Sequence, residues 1–216
     1  MQRSDGRVER GNQTRRLVLD RATRVASAEG LDGLSLGRLA GELKLSKSGV
    51  FTLFGSKEEL QLATVRAAVN IYTAHVVRPA LEEPAGLRRV VRLYESWLTY
   101  SRERVFPGGC FFSSVSAEFD AREGRVHDSI AQARADWNAF VERTLEEARQ
   151  AGELAEDTDV AQLAFEIIAL LEASNAESVL HGDDSVDATP YQRARRGIRD
   201  RLGAAATDPA ALPTAD

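Results

Sequence analysis

The chain has 216 residues and a mass of 23.6 kDa, room for one large domain or two small ones, and 43% of its residues are hydrophobic, enough for a core. A single cysteine, Cys110, excludes an internal disulfide framework and a cysteine-based zinc site, and His75, His127 and His181 lack the short spacings of a ligand set, so no metal and no cofactor is expected. The net charge of −5 is unevenly divided: residues 1–57 carry eleven lysines and arginines against six acids, which leaves −10 on the remainder.

A basic head on an acidic body is the electrostatic footprint of a polyanion binder, with an ordinary solvated face as the plain alternative. The cations are 25 arginines and only three lysines. Arginine's planar fork suits phosphate and carboxylate. The N-terminus lacks the apolar stretch of a secretory signal, and no run of about 18 apolar residues occurs, so a soluble, cytoplasmic protein with no membrane partner is expected.

Taken in chain order, Val18, Ala22, Val25 and Ala26 form an apolar stripe that predicts a helix over about residues 14–29, with Thr14 as N-cap and Gly30 as stop. Ser35 caps a short second helix bearing Leu36, Leu39, Ala40 and Leu43. Ser46 caps a third that ends near Phe54. Ser56 opens a longer helix, with Glu59 completing a capping box, and Leu60, Ala63, Ala67, Ala68 and Ile71 carry it to about Arg78. Pro79 and Pro84 bracket a connector.

The next stripe is Leu87, Val90, Val91, Tyr94, Trp97 and Leu98, ending before Pro107. After the apolar run Cys110, Phe111 and Phe112, a short helix is expected to about Asp120. Val126 to Ala148 then gives six to seven turns of 3.6-residue pattern, stopped at Gly152. Asp157 or Asp159 starts another helix that runs to about Leu180, and His181–Asp187 reads as a polar loop. Thr189 and Pro190 open a last helix through Leu202. The tail Thr207–Asp216 has no pattern and is expected to be disordered. No strand pattern appears, so the reading is an all-α protein of about nine helices.

Residues 35–54, SLGRLAGELKLSKSGVFTLF, supply two short helices about three residues apart, the spacing of a helix-turn-helix in which the first helix braces a second that enters the major groove. An ordinary helical hairpin is the alternative. The segment from Thr14 to Ala68 resembles the DNA-binding domain of the tetracycline-repressor (TetR) family of bacterial regulators, on Ala22, Gly30, Ser35, Leu39, Ala40, Ser46, Gly49, Phe54, Ser56, Lys57 and Leu60. PGGCFF and AEFD, within residues 107–120, look like a phrase of one regulatory-domain subgroup of that family. The resemblance implies a division into a DNA-binding domain with a basic arm, 1–57, and a ligand-binding and dimerisation domain, 58–206.

It further implies a homodimer on a palindromic duplex operator, most simply a repressor released by a small apolar or aromatic effector. Ser46, Lys47, Ser48 and Thr52 lie opposite Val50 and Phe54 and are expected to face bases and phosphates, with Lys47 suited to guanine and Thr52 to a thymine methyl. Gly49 permits close approach. Ser35 joins this set, Lys57 is placed to grip a phosphate at a helix start, and Arg3, Arg7, Arg10, Arg15 and Arg16 are backbone or minor-groove contacts from a flexible arm, with solubility as the alternative for each. Three residues depart from the family pattern. Phe51 stands where a tyrosine is frequent, Leu53 where a histidine or tyrosine is, and Lys44 where a glycine is; a positive φ at Lys44 costs about 1 kcal/mol.

For the effector, Tyr94, Trp97, Cys110, Phe111, Phe112, His127, Trp137 and Asn138 are the candidate pocket, with core packing as the alternative for each aromatic and with His127 paired to Glu118 or Asp120. For the dimer, Ala164, Ile168, Leu171 and Leu180 are expected at a buried centre, with Arg195 and Arg199 among the arginines facing Glu166, Glu172 and Glu177. Catalysis finds no convergent nucleophile, base and third group, so no enzyme is expected. A helical protein-interaction module without DNA binding is the rival, and a salt titration of duplex binding separates the two.

Overall fold

The computed structural model describes residues 5–181 and 189–213, and within them the only departure from helix and loop is an isolated bridge between Leu154 and Ala206. In chain order the helices are α1 (Asp5–Glu29), α2 (Leu36–Glu42), α3 (Lys47–Phe54) and α4 (Lys57–Tyr72). A π-helical turn, Thr73–Val77, carries α4 without a break into α5 (Arg78–Leu81). Then follow α6 (Leu87–Arg102), α7 (Phe111–Phe119), α8 (Arg125–Gln150), α9 (Val160–His181) and α10 (Thr189–Ala205). With the consecutive helical segments of Lys57–Leu81 counted once, the described residues form nine helices, as the periodicity implies.

The chain divides into two compact units: Met1–Asn70 with Phe106–Ala131, and Ile71–Val105 with Gln132–Asp216. In the first, α1, α2 and α3 pack on one another and α7 packs on α1. Val18, Ala22, Val25 and Ala26 are buried on α1, with Leu39 and Ala40 on α2 and Val50 and Phe54 on α3. Helix starts are held as expected. Ser35 Oγ accepts from the Arg38 amide, Ser46 Oγ from Gly49, and Ser56 Oγ from Glu59, each at 3.1 Å. The return half of the last capping box is not used, because the Glu59 carboxylate pairs with Arg125 at 2.8 Å.

Gly30 stops α1 with φ +79. Its freedom is needed twice over, since a Cβ there would also lie 2.5 Å from Glu118 Oε2. In the second unit α6 packs against the π turn, α5, α9 and α10, and α9 packs along α10. Below the apolar face of α6 lies a polar tie. Ser101 Oγ donates to Asn175 Oδ1 at 2.9 Å, and Arg104 bonds both the Tyr191 hydroxyl (3.0 Å) and the Ser178 carbonyl (2.8 Å), which fastens the end of α6 to α9 and α10.

Three boundaries differ from the sequence reading. Helix α1 begins nine residues before Thr14, whose hydroxyl donates to the Arg10 carbonyl at 2.8 Å instead of capping. The apolar stripe marks only the buried part of a helix whose polar start is also helical. Pro79 does not end the long helix; the wider π turn just before it accommodates a ring that would otherwise press on the carbonyl four residues back. The tail is ordered as far as Pro213: the Thr207 amide donates to the Glu153 carbonyl at 3.0 Å, and Arg199 donates to the Pro213 carbonyl at 2.8 Å. The expected loop at His181–Asp187 falls almost wholly outside the described residues.

Candidate nucleic-acid interface

Helix α3 owes its exposure pattern to two side chains. Val50 and Phe54, four residues apart, bury against the head. The opposite side then presents Lys47, Ser48, Gly49, Phe51 and Thr52 to solvent. Phe51 is 57% exposed, an aromatic ring with no counterpart in its own unit's core. Ser46 is exposed at the helix start, but its oxygen is engaged as the cap. Gly49 belongs to the same device, since a Cβ there would come 2.7 Å from Ser46 Oγ. The Thr52 hydroxyl donates to the Ser48 carbonyl at 2.8 Å, which leaves its methyl for apolar contact.

The remaining members of the predicted set divide between free and engaged. Among the described residues Arg16 and Lys47 are exposed and unpaired, as are Arg10, Arg24 and Lys44; Arg3 lies outside the described residues. Lys44 has φ 56, the left-handed conformation that favours glycine, in the turn between α2 and α3. Ser35 is the cap of α2. Arg15 is a structural residue in this chain: it donates to the Leu53 carbonyl at 2.7 Å and lies 4.6 Å over the Phe54 ring, so it fastens the last turn of α3 to α1. Lys57 is engaged too, donating to the Asp32 carbonyl at 2.8 Å.

Sequence reasoning missed the group that fixes the turn after α1. Glu118 accepts from the Leu31 amide at 2.7 Å and from the Asp32 amide at 2.8 Å, Gln61 donates to the Leu31 carbonyl at 3.1 Å, and Arg122 pairs with Asp32 at 2.6 Å. No local periodicity could signal partners nearly ninety residues apart. The Arg122 guanidinium holds the Asp32 carboxyl below its ordinary range. On the outer face, Arg38 bridges Glu29 and Glu42, which raises the arginine's pKa and lowers that of Glu29, while Glu42 is lowered first by Arg21 at 2.6 Å and then by Arg38.

The predicted effector residues fall into different units. Cys110, Phe111 and Phe112 are buried in the first, where Phe111 meets Phe106 at 5.6 Å and Phe112 at 5.3 Å. His127 lies in the same unit and is 3.0 Å from Asp128, so it does not pair with Glu118, whose oxygens are taken by backbone amides, or with Asp120. In the second unit Tyr94 and Trp97 are buried, Trp137 is half-buried and Asn138 is exposed. Tyr72, absent from the sequence set, joins Tyr100 and Trp137 edge-on at 5.4 and 5.2 Å. Tyr94 and Trp137 line an apolar crevice of only about 10 Å³.

The predicted dimer residues also separate. Ala164, Ile168 and Leu171 are covered within the chain itself, because they are the face that α9 turns inward. Arg195 is committed to Glu95 through two contacts of 2.6 Å and Arg199 to the tail. Glu166 and Glu172 are likewise paired within the chain, to Arg201 and Arg134. Leu180 remains, 77% exposed, on a stripe with Phe165, Ala169, Ala173 and Ala176.

A capped helix with a basic, solvent-facing side, braced by a shorter one and followed by a helical bundle, defines a helix-turn-helix DNA-binding regulator. Residues 18–64 match the model for bacterial regulatory proteins of the tetR family, and residues 86–198 match the model for the tetracyclin repressor-like C-terminal domain. The chain belongs to the TetR family of bacterial regulators, which are DNA-binding proteins and not enzymes. An uncharacterized HTH-type transcriptional regulator of Bacillus subtilis, YezE, is 28% identical over 153 residues, 68% of this chain and 77% of that protein.

Among solved structures, a TetR transcriptional regulator from Chloroflexus aurantiacus superposes with a TM-score of 0.79 at 20% identity, covering 88% of this chain and 94% of that one. AibR, in complex with isovaleryl coenzyme A and operator DNA, superposes with 0.67 at 16% identity, covering 90% and 98%. Among the described residues no helix is long and apolar enough to cross a membrane, and no group of three or more His, Cys, Asp or Glu side chains could hold a metal ion.

Proposed function

We propose that the chain is a homodimeric, effector-responsive repressor that reads a palindromic operator through α3, with 1–57 as the DNA-binding part and 58–206 as the dimerisation and effector part. The observation that carries this reading is the outward side of α3, where Lys47, Ser48, Phe51 and the Thr52 methyl stand exposed together beside the free Lys44. Lysine suits the guanine O6 and N7 acceptors, and the threonine methyl suits the thymine methyl. Phe51 lacks a hydroxyl for phosphate and supplies packing against sugar. Because Lys57 and Arg15 are engaged within the fold, phosphate contacts fall to Arg10, Arg16 and Lys44.

One reading helix makes too few contacts for tight specific binding, and a second copy doubles them at half-sites about 34–36 Å apart or a longer separation. The exposed stripe Phe165–Ala169–Ala173–Ala176–Leu180 on α9 supports pairing with a second copy, its alanines allowing close helix approach. Effector and operator binding are then linked: a small molecule that prefers one spacing of the two heads weakens DNA binding by the factor with which DNA weakens its own, 5- to 150-fold for a coupling of about 1–3 kcal/mol. Selection of bound duplexes from a random pool tests the reading. Recovery of an inverted repeat, with affinity falling steeply in salt, is the expected result; a pool that never enriches at low salt overturns it.

A further inference from the structure

The second unit carries a groove of about 530 Å³, a volume that suits a small ligand, and it is separate from the crevice beside Trp137. Arg92, Ser96, Thr99 and Arg102 line it from α6 at spacings of four, three and three residues, so they form one stripe about 15 Å long. His75 faces it from the π-helical turn, a departure from α-helix that often accompanies function. The polar groups on this wall are unspent. Among the described residues Arg92 and Arg102 are exposed and pair with no carboxylate, while the His75 Nδ1 contacts the Ile71 carbonyl at 2.9 Å and its Nε2 has no partner there.

Ser96 lies on the same wall; it makes no hydrogen bond among the described residues, and its hydroxyl is accessible from the groove. Two carboxylates also border the groove, and they bear on the sign of the ligand. Glu95 is neutralised by its paired contacts with Arg195, whereas Glu103 is exposed at the rim. Among the described residues that leaves two free guanidiniums against one rim carboxylate, with hydroxyls between them.

We infer that this groove binds a small oxyanion, a phosphate- or carboxylate-bearing molecule held at its charged groups by Arg92 and Arg102 and along its body by the Ser96 and Thr99 hydroxyls. Guanidinium donors match both oxyanions in paired geometry, so the two sources share one recognition chemistry.

The test is calorimetric titration of the full chain at fixed ionic strength with pyrophosphate, with citrate, and with tetramethylammonium chloride as the cationic control. Saturable binding of pyrophosphate identifies a phosphate ligand and binding of citrate a carboxylate ligand, with no heat from the cation. The double variant R92Q/R102Q is expected to bind at least about tenfold more weakly at an unchanged thermal midpoint, because both side chains are exposed and unpaired. Ser96→Ala should cost a few-fold. K44Q/K47Q, altered on the α3 side, should bind as the wild type does. The inference fails if neither oxyanion binds at millimolar concentration, if R92Q/R102Q keeps full affinity, or if K44Q/K47Q is the variant that loses it.

Discussion

The Glu118 carboxylate closes the turn after α1 by taking the Leu31 amide at 2.7 Å, across 87 residues of sequence, while its second oxygen takes the Asp32 amide at 2.8 Å. One side chain thereby satisfies two backbone donors beyond the end of a helix and ties α7 to α1 within the same unit. Hydrogen bonds to an ionised acceptor are stronger than neutral ones, and removing the acceptor leaves the partly buried Leu31 amide unpaired. Glu118→Ala is therefore expected to destabilise the protein by about 1–3 kcal/mol in urea unfolding. Glu118→Gln should lose a large part of that amount, because its NH2 group must face one of the two donors. Equal stability of all three proteins would mean that the contacts are incidental.

Asp32 supplies a pH dependence. Arg122 donates to its carboxylate at 2.6 Å and holds its pKa below the ordinary value near 3.8. A carboxyl lowered in the folded state contributes stability that is fully present above the unfolded value and disappears as pH falls through the folded one. The group is half exposed, so solvent screens the pair and the contribution is small. Thermal midpoints measured from pH 6 down to pH 2 should converge for wild type and Asp32→Asn at the acid end and separate, wild type higher, above about pH 4. A constant gap at all pH values contradicts the assignment.

Much of this architecture was legible because it is written locally. The caps Ser35, Ser46 and Ser56 bond amides three residues away, and the stop at Gly30 needs only a positive φ, so short-range pattern places these ends. The inward and outward sides of α3 likewise follow from Val50 and Phe54 alone. The candidate site was less legible, because exposure says which cations could touch DNA but not which are already spent. Arg15 and Lys57 read as phosphate contacts until Leu53 and Asp32 are seen beside them. Alpha-helical periodicity also failed to say which apolar face of α9 belongs to its own core, since that helix is apolar on both.

Two glycines in the first unit should respond oppositely to alanine. Gly41 lies inside α2 with nothing near the position of a Cβ, so Gly41→Ala should stabilise by about 0.5–1 kcal/mol through helix propensity. At Gly108 a Cβ would fall 1.9 Å from the Ser27 carbonyl oxygen, and backbone must move. Gly108→Ala should destabilise by about 1–3 kcal/mol or more. Denaturant midpoints of the two variants decide it, and a Gly108→Ala protein as stable as wild type would show that the approach of this loop to α1 is looser than described.

Arg15 and Lys47 provide a contrast between holding the reading helix and using it. Arg15→Ala removes the bond to the Leu53 carbonyl and the stacking on Phe54, so it should lower the thermal midpoint and weaken operator and random duplex alike. Lys47→Ala touches no partner in the fold and should leave the midpoint unchanged while narrowing the gap between operator and random duplex, as loss of a base contact worth about 1–3 kcal/mol would. Competition binding with both duplexes, beside thermal melts, reads the difference. A reversed pattern would place Arg15 on the DNA and Lys47 in the fold.

The proposed dimerisation can be separated from folding on a single helix, because α9 presents Phe165 at 68% exposure and Ile168, three residues on, at 9%. A charge introduced at Phe165 meets solvent in one subunit and an apolar partner only in a pair, whereas a charge at Ile168 enters the subunit's own core without a counter-ion. Phe165→Glu should therefore keep the wild-type helical spectrum and melt cooperatively while sedimenting as a monomer at micromolar concentration, with operator affinity falling toward that of random duplex. Ile168→Glu should fail to fold or melt far lower. If Phe165→Glu sediments as a dimer of wild-type stability, the pairing surface lies elsewhere on the chain and the stripe from Phe165 to Leu180 is not its centre.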